Sequence, residues 1–545
     1  MRIINDFKIF ILSVLLISFL TGCSDWLDYQ PKDKQSEKQQ FSTKEGFYAT
    51  VNGIYNRMSG GSLYGRYLSY EMIDVLGQRY TVNSTDEDDY SKYLRALVDW
   101  NYSDDNVKGA LNAIWQEAYS TIMNINVILQ NIESDSEKVS DTVLPEKEYK
   151  MLKGEMLAAR AMLHFDMLRL YGPVYSIKPD ERGIPYNEST KTEVLPILSA
   201  EVVLKDYIIR DLLQAVDLLK DSDPVRVDGP MAEYDSETMD NSMRYRQLRL
   251  NYYASVLLLA RAYIWDGDYA KAAEYAVSLI EDPKVVEFFP SVDPGTLLAN
   301  TVDPDRMFST ECLFGFYNKD RGLIYDRTFG GSSTGKRLLI PRASYVNGLL
   351  FAGAESSDYR YKSQWVPGST LKGEPSMQLI KFNEIIETNA NNIPSEEDSE
   401  EGALKSQKFY GTFCSMMKIS EAYYIAAEAY GRSISEVYDI NKAWNYLNII
   451  RQNRGLAANS GNEATIIDRL SKEYIREFIG EGQVFFYFKR TNKGFDNDYN
   501  GVKEIKRELV PGLPFFGYDY TDAVDNNTKE KRFVAPLPQS ELDNR

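Results

Sequence analysis

Residues 152–173, LKGEMLAARAMLHFDMLRLYGP, carry the most legible pattern in the chain. Leu152, Met156, Ala159, Leu163, Met167 and Leu170 recur at intervals of four or three residues, which lines them along one helix face. Gly172 and Pro173 end the pattern, since proline has no amide hydrogen to extend a helix. The same period returns at Phe47, Val51, Ile54 and Met58, at Ile419, Tyr423, Ala426 and Tyr430, and at Ile467, Leu470, Tyr474 and Phe478. Between 254 and 283, Ala260, Tyr263, Gly267, Tyr269 and Ala272, with Pro283 beyond, follow tetratricopeptide helix-turn-helix spacing. A degenerate copy over 419–451 uses Ala427, Tyr430, Ala443, Leu447 and Ile450, with an enlarged turn. Further helices are expected over 106–132, 146–171 and 200–220. Such units bury their faces only by stacking, so the expectation is a mainly α, tetratricopeptide-like scaffold of about four helical pairs.

Working outward, residues 284–410 lose helical period and become rich in Gly, Pro, Ser, Tyr and Phe. They read as an irregular, loop-rich layer containing short strands, leaning on the scaffold and forming its ligand side. The acidic run of Glu396, Glu397, Asp398, Glu400 and Glu401 reads as solvated loop. At the amino end, Arg2 and Lys8 precede an apolar run from Ile9 to Leu20, too short to span a bilayer and suited to a signal-peptide core. Leu20, Thr21, Gly22 and Cys23 then match a bacterial lipobox. The expected organisation is a signal peptide over 1–22, a tether over 23–40 lipidated at Cys23, and one domain over 41–545. Within that domain the helical repeats occupy about 106–283 and 419–490, and the irregular region about 284–410. Acyl chains on Cys23 anchor a protein without a transmembrane helix.

Composition narrows the chemistry. A net charge of -18 opposes nucleic-acid binding, which needs clustered Lys and Arg. One histidine and three cysteines cannot furnish an ordinary zinc centre. His164 lies within the helical pattern and reads as a packed histidine, and Cys312 and Cys414 are too far apart in sequence to imply a disulfide. Gly330, Gly335 and Lys336 imitate a phosphate loop, but Arg337 stands where a hydroxyl must meet magnesium and Pro341 breaks the following helix. Asp496, Asp498, Asn500 and Gly501 begin like a calcium loop. Arg507 holds its closing carboxylate position, with Glu508 one residue late, so a polar turn is the competing reading. No carboxylate pair stands out for glycoside hydrolysis, and no cofactor motif is found.

Several blocks together resemble the SusD-like (SusD/RagB) family. Asp25, Trp26, Leu27, Asp28 and Pro31 follow Cys23, and Gly53, Ile54 and Tyr55 continue the match. Ala159, Arg160, Ala161, Phe165, Leu168, Arg169, Tyr171, Gly172 and Pro173 are similar to the family's first large helix. Glu421 and Ala426 to Ala429 resemble its repeat helix, and Glu473, Arg476, Glu477, Phe478, Glu481, Gly482, Gln483, Phe488, Lys489 and Arg490 its glutamate–arginine block. Pro536, Leu537, Pro538, Gln539, Ser540, Glu541 and Leu542 resemble the terminal signature, with leucine replacing isoleucine. The resemblance implies a non-enzymatic outer-membrane lipoprotein facing the cell exterior. Such a protein delivers its ligand to a SusC-like TonB-dependent barrel, closing over the barrel as a lid; the resemblance carries no substrate identity, and capture of an oligosaccharide is the leading expectation. Peptide capture, glycoside hydrolysis and adhesion are the alternatives.

The chain's 39 tyrosines suit stacking against sugar rings. Arg79, Tyr80, Asn83, Trp100, Asn101 and Tyr102 form the leading ligand-binding cluster, read as lying in polar surroundings between helices. Tyr317, Tyr325, Tyr345, Tyr361 and Trp365 in the irregular region are second candidates.

Overall fold

A computed structural model describes residues 32–82, 87–138, 142–231, 243–298, 305–330, 338–341, 343–368, 375–383, 412–492, 532–543 and 545. Cys23, Asn83, the acidic run and the calcium-loop residues Asp496, Asp498 and Asn500 lie outside them. By packing, the chain divides into residues 1–50 and 51–545. The first unit holds α1 (Lys32–Gln40) and the start of α2 (Lys44–Met58), whose remainder belongs to the second. Gln40 Nε2 donates to the Gly46 carbonyl at 3.0 Å, and the rings of Phe41 and Phe47 meet 5.0 Å apart.

The second unit continues with α3 (Met72–Leu76), β1 (Thr81–Val82), α4 (Asp89–Val98), α5 (Asp105–Ser136), α6 (Glu146–Tyr171) and α7 (Arg210–Ser222). Then follow α8 (Tyr252–Asp266), α9 (Tyr269–Ile280), β2 (Cys312–Tyr317), β3 (Leu339–Ile340), β4 (Trp365–Pro367), β5 (Met377–Leu379) and β6 (Phe413–Lys418). The main later helices are α10 (Ile419–Gly431), α11 (Ile440–Asn453), α12 (Glu463–Phe478) and α13 (Val484–Thr491). Asp104 caps α5 by accepting from the amides of Asn106 and Val107, which satisfies amides the first turn leaves open.

The α6 pattern holds to its predicted end at Tyr171, but this helix has no solvent face over most of its length. Every residue from Gly154 to Tyr171 is buried. The reason is position: α5 covers one side of α6 and α7 the other. A Cβ on Gly154 would stand 2.7 Å from Leu219 Cγ, so glycine is what allows α7 to approach.

The tetratricopeptide-like pair forms as its spacing predicts. Asn251 caps α8, Gly267 turns the chain at φ +87°, and Asp268 caps α9. Tyr263 and Tyr275 stack across the pair at 5.6 Å. Helices α5 to α11 pack successively, and α9 lies directly against α10 although well over a hundred residues separate them. The two predicted repeat blocks are thus one stack.

Among the described residues the intervening region contributes strands to three short antiparallel pairs, β1 with β3, β2 with β6, and β4 with β5. In the β2–β6 ladder Cys312 stands opposite Lys418, while Cys414 stands opposite Phe316. Both thiols are free and buried, a point the sequence spacing left open.

A buried charge cluster fastens this layer to the repeats. Glu477 of α12 accepts from Arg360 at 3.0 Å and from Arg454 at 2.8 Å, with Lys418 at 3.2 Å. Arg360 also reaches Asp358 at 2.7 Å and Glu473 at 2.6 Å, while Arg454 forks onto Glu311. Burial alone would raise the Glu473 carboxyl, but the guanidiniums of Arg360, Arg476 and Arg451 outweigh it and hold it at about 2. The family-like block Glu473, Arg476, Glu477 and Glu481 is therefore architectural.

Candidate functional site

The turn at 65–67 adjoins the end of β2, and helix α4 meets the π-helical turn Asp326–Gly330 through Tyr90 and Arg327. Asn318 makes part of this junction by donating to the Gly65 carbonyl at 2.8 Å. Asp88 caps α4 through the Ser91 amide, which sets Tyr90 and Tyr93 one helical turn apart with stacked rings 6.1 Å between centroids. Tyr67 lies 6.2 Å from Tyr93. The Arg66 guanidinium sits 4.5 Å from the Tyr67 ring and 5.7 Å from that of Tyr90, and Arg327 lies 3.7 Å from Tyr90.

Glu71 orients this group from below. Only 1% exposed, it accepts from Arg66 Nε at 2.8 Å and from the Tyr90 hydroxyl at 2.7 Å. Burial would lower the Arg66 pKa, but the Glu71 carboxylate more than compensates and raises it. Burial and the same carboxylate push the Tyr90 hydroxyl up. Arg66, Tyr67 and Tyr90 are half-buried and Arg327 is exposed. Tyr317, beside Asn318, is 49% exposed, and Leu323 73%. Flat rings beside guanidinium donors are suited to hold a ligand with apolar faces and hydroxyl edges.

The sequence-predicted residues lie elsewhere. Arg79, Tyr80, Trp100 and Tyr102 are all buried, which corrects the reading that they stand in polar surroundings. Arg79 donates to the Tyr345 hydroxyl at 3.1 Å and faces the Phe488 ring. Tyr80 donates to Asp74, a fully enclosed carboxyl that also accepts from the Gly480 and Gly482 amides. Burial pushes Asp74 up to about 7. Trp100 Nε1 donates to the Leu76 carbonyl at 3.3 Å, and the Tyr102 hydroxyl to the Arg532 carbonyl at 2.7 Å.

Asn101 is exposed and folds its side-chain oxygen back onto the Ser103 amide. In the second set, Tyr325, Tyr345 and Trp365 are buried, Tyr361 is half-buried, and Tyr317 reaches solvent. The structure thus joins Arg79 with Tyr345 and leaves Tyr317 and Asn101 at the surface.

Arg66, Tyr67, Tyr90 and Arg327 escaped the sequence reading. The tyrosine spacing on α4 and the Arg66–Tyr67 dipeptide were the only available signals, and neither points to Arg327. His164 is fully buried, and burial lowers it to about 3. Its Nε2 accepts from the Asn187 amide, so Nδ1 carries the hydrogen and donates to the Arg160 carbonyl. Among the described residues, no cluster of three or more His, Cys, Asp or Glu side chains could hold a metal ion. No described helix is long and apolar enough to cross a membrane.

Stacked helical repeats carrying a loop-rich layer with short two-stranded sheets are the architecture of the SusD-superfamily structures that the chain resembles. Residues 25–226 match a SusD-like family described as starch-binding and associating with the outer membrane, and residues 397–545 match the SusD family. The chain belongs to the SusD/RagB family. It is similar to SusD-like protein P2 of Formosa agariphila, 22% identical, with 97% of this chain and 96% of that protein covered. Among solved structures it resembles a SusD superfamily protein from Bacteroides vulgatus, with TM-score 0.64, 21% identity, and 92% and 97% of the two chains covered. It also resembles a laminarin-binding SusD-like protein, with TM-score 0.57, 15% identity, and 92% and 98% covered.

Proposed function

We propose that this protein is a surface glycan-binding lipoprotein, anchored through Cys23 in the outer membrane, that captures oligosaccharide and passes it to a SusC-like TonB-dependent transporter. The observation that carries this reading is the half-open Arg66–Tyr67–Tyr90–Arg327 surface on a SusD/RagB scaffold. Rings receive the apolar faces of sugars, and the guanidiniums donate to hydroxyls. Binding, not bond cleavage, is its chemistry. Tyr317, beside Asn318 of the same junction, is the member of the sequence-derived set available to extend the surface.

Calorimetry against an array of polysaccharides and peptides tests the reading, with Arg327→Ala and Tyr90→Ala as comparison proteins. Polysaccharide binding weakened at least about ten-fold by each change supports it, a loss of order 1.4 kcal/mol. Peptide-only binding, or glycan binding indifferent to both changes, refutes it. Co-purification of a TonB-dependent barrel with the protein tests the partner.

A further inference from the structure

A second cavity lies on the repeat scaffold, between α5 and the segment 185–195. Its volume is about 630 Å³, within the roughly 300–1,000 Å³ of small-molecule sites. Trp115 and Tyr119, one helical turn apart on α5, lie along its wall with ring centroids 4.6 Å apart. The opposite wall is an arch tied down at both ends. At its start the Tyr119 hydroxyl donates to the Pro185 carbonyl at 2.8 Å, and Asn126 donates to the carbonyls of Asn187 and Ser189 at 3.0 and 3.1 Å. At its end Arg545 donates to the Leu195 carbonyl at 2.8 Å. Between these ties Lys191 to Val194 face solvent, and Val194 is 64% exposed.

The charges around this cavity balance. Lys191 and Arg545 stand against Glu193 and Glu541. Glu541 already accepts from Arg545 Nε at 2.9 Å and from Trp115 Nε1 at 3.3 Å. An ionic ligand would therefore find no net opposite charge, whereas a neutral one finds the half-buried Tyr119 ring, with Trp115 4% exposed beside it, on one side and a rim of donors and acceptors on the other. Stacking against rings and fixing hydroxyl edges is the pairing a pyranose requires. From this geometry we infer that the cavity binds a neutral mono- or disaccharide, as a site separate from the Tyr90–Arg327 surface. None of its walls includes a residue of that surface, so the two sites stand or fall independently.

Saturation-transfer NMR on the detergent-solubilised full chain tests this, with glucose, galactose, mannose and maltose as probes and glucuronate as the charged comparator. Few contacts to a single ring place the expected Kd on the order of 1 mM. Met123→Trp and Thr192→Trp each fill the cavity, the second from an exposed position that leaves the fold intact. Each should weaken the neutral-sugar signal at least ten-fold, while Arg327→Ala leaves it unchanged. No saturation of any neutral sugar, a signal indifferent to Thr192→Trp, a signal lost with Arg327→Ala, or binding of glucuronate alone would overturn the assignment. Polysaccharide binding that is sensitive to Arg327→Ala, found together with no neutral-sugar signal that Thr192→Trp weakens, would leave the proposed function standing without this second site.

Discussion

The Glu473–Glu477 cluster and the Arg66–Tyr90–Arg327 surface are built from the same kinds of residue and put them to opposite uses. In the cluster, Arg360, Arg454, Glu473 and Glu477 are wholly enclosed, and each is met by more than one partner of opposite charge. On the surface a single enclosed carboxylate, Glu71, holds Arg66 and Tyr90, while Arg327 lies in solvent over the Tyr90 ring. A saturated and buried charge specifies geometry, because losing one partner leaves the others uncompensated. A supported but half-open charge remains available to a ligand.

The contrast breaks most forcefully at Glu477. Glu477→Ala strips a carboxylate from Arg360, Arg454 and Lys418 together, and the expected loss is about 3–5 kcal/mol or failure to fold, read by chemical denaturation. Retention of wild-type stability would show that the cluster is not what joins the layer to the repeats. Trp100→Ala is expected to cost about 3 kcal/mol in the same measurement, because the indole is 7% exposed and packed. A stable Trp100→Ala protein with weakened glycan binding would instead restore Trp100 as a ligand contact.

Acid and neutral pH probe the buried carboxyls in opposite directions. Glu473 lies at about 2 in the fold against 4.5 in the free group. Its contribution is present above about pH 4.5 and is lost as pH falls toward 2. Asp74 lies at about 7 against 3.8, so the folded state holds the extra proton between those values, and stability falls as pH rises across that window. Asp74→Asn should match the wild type near pH 4, gain on it progressively up to about pH 7 and hold a constant advantage above that, as read from thermal midpoints. An unchanged difference across that range would refute the assignment. The smallest expected effect on stability is that of Arg327→Ala, within about 0.5 kcal/mol for an exposed side chain. Any larger loss in its melting curve would make this residue part of the architecture.

Helices with strong period and clear punctuation were legible from the chain itself. Tyr171 ends α6 before Gly172 and Pro173, and the α8–α9 turn falls at Gly267, because caps and breakers act over a few neighbouring residues. Burial was less legible. The sequence predicts one apolar face on α6, yet its neighbours on two sides enclose the whole helix, including Arg160, His164 and Arg169. The same difficulty governs the site. Nothing local distinguishes Tyr80 and Trp100, which turn inward, from Tyr90, which stays half-open.

The helical repeats, the interruption between them and the family can be read along the chain, since periodicity, turn residues and family-like blocks are properties of short segments. That α9 packs on α10 across the intervening region, that Arg360 and Arg454 lie inside, and that Arg66, Tyr90 and Arg327 share one surface emerges from the folded chain. Those outcomes depend on which distant groups arrive to desolvate or neutralise a side chain, and a residue's own neighbours in sequence carry no record of that.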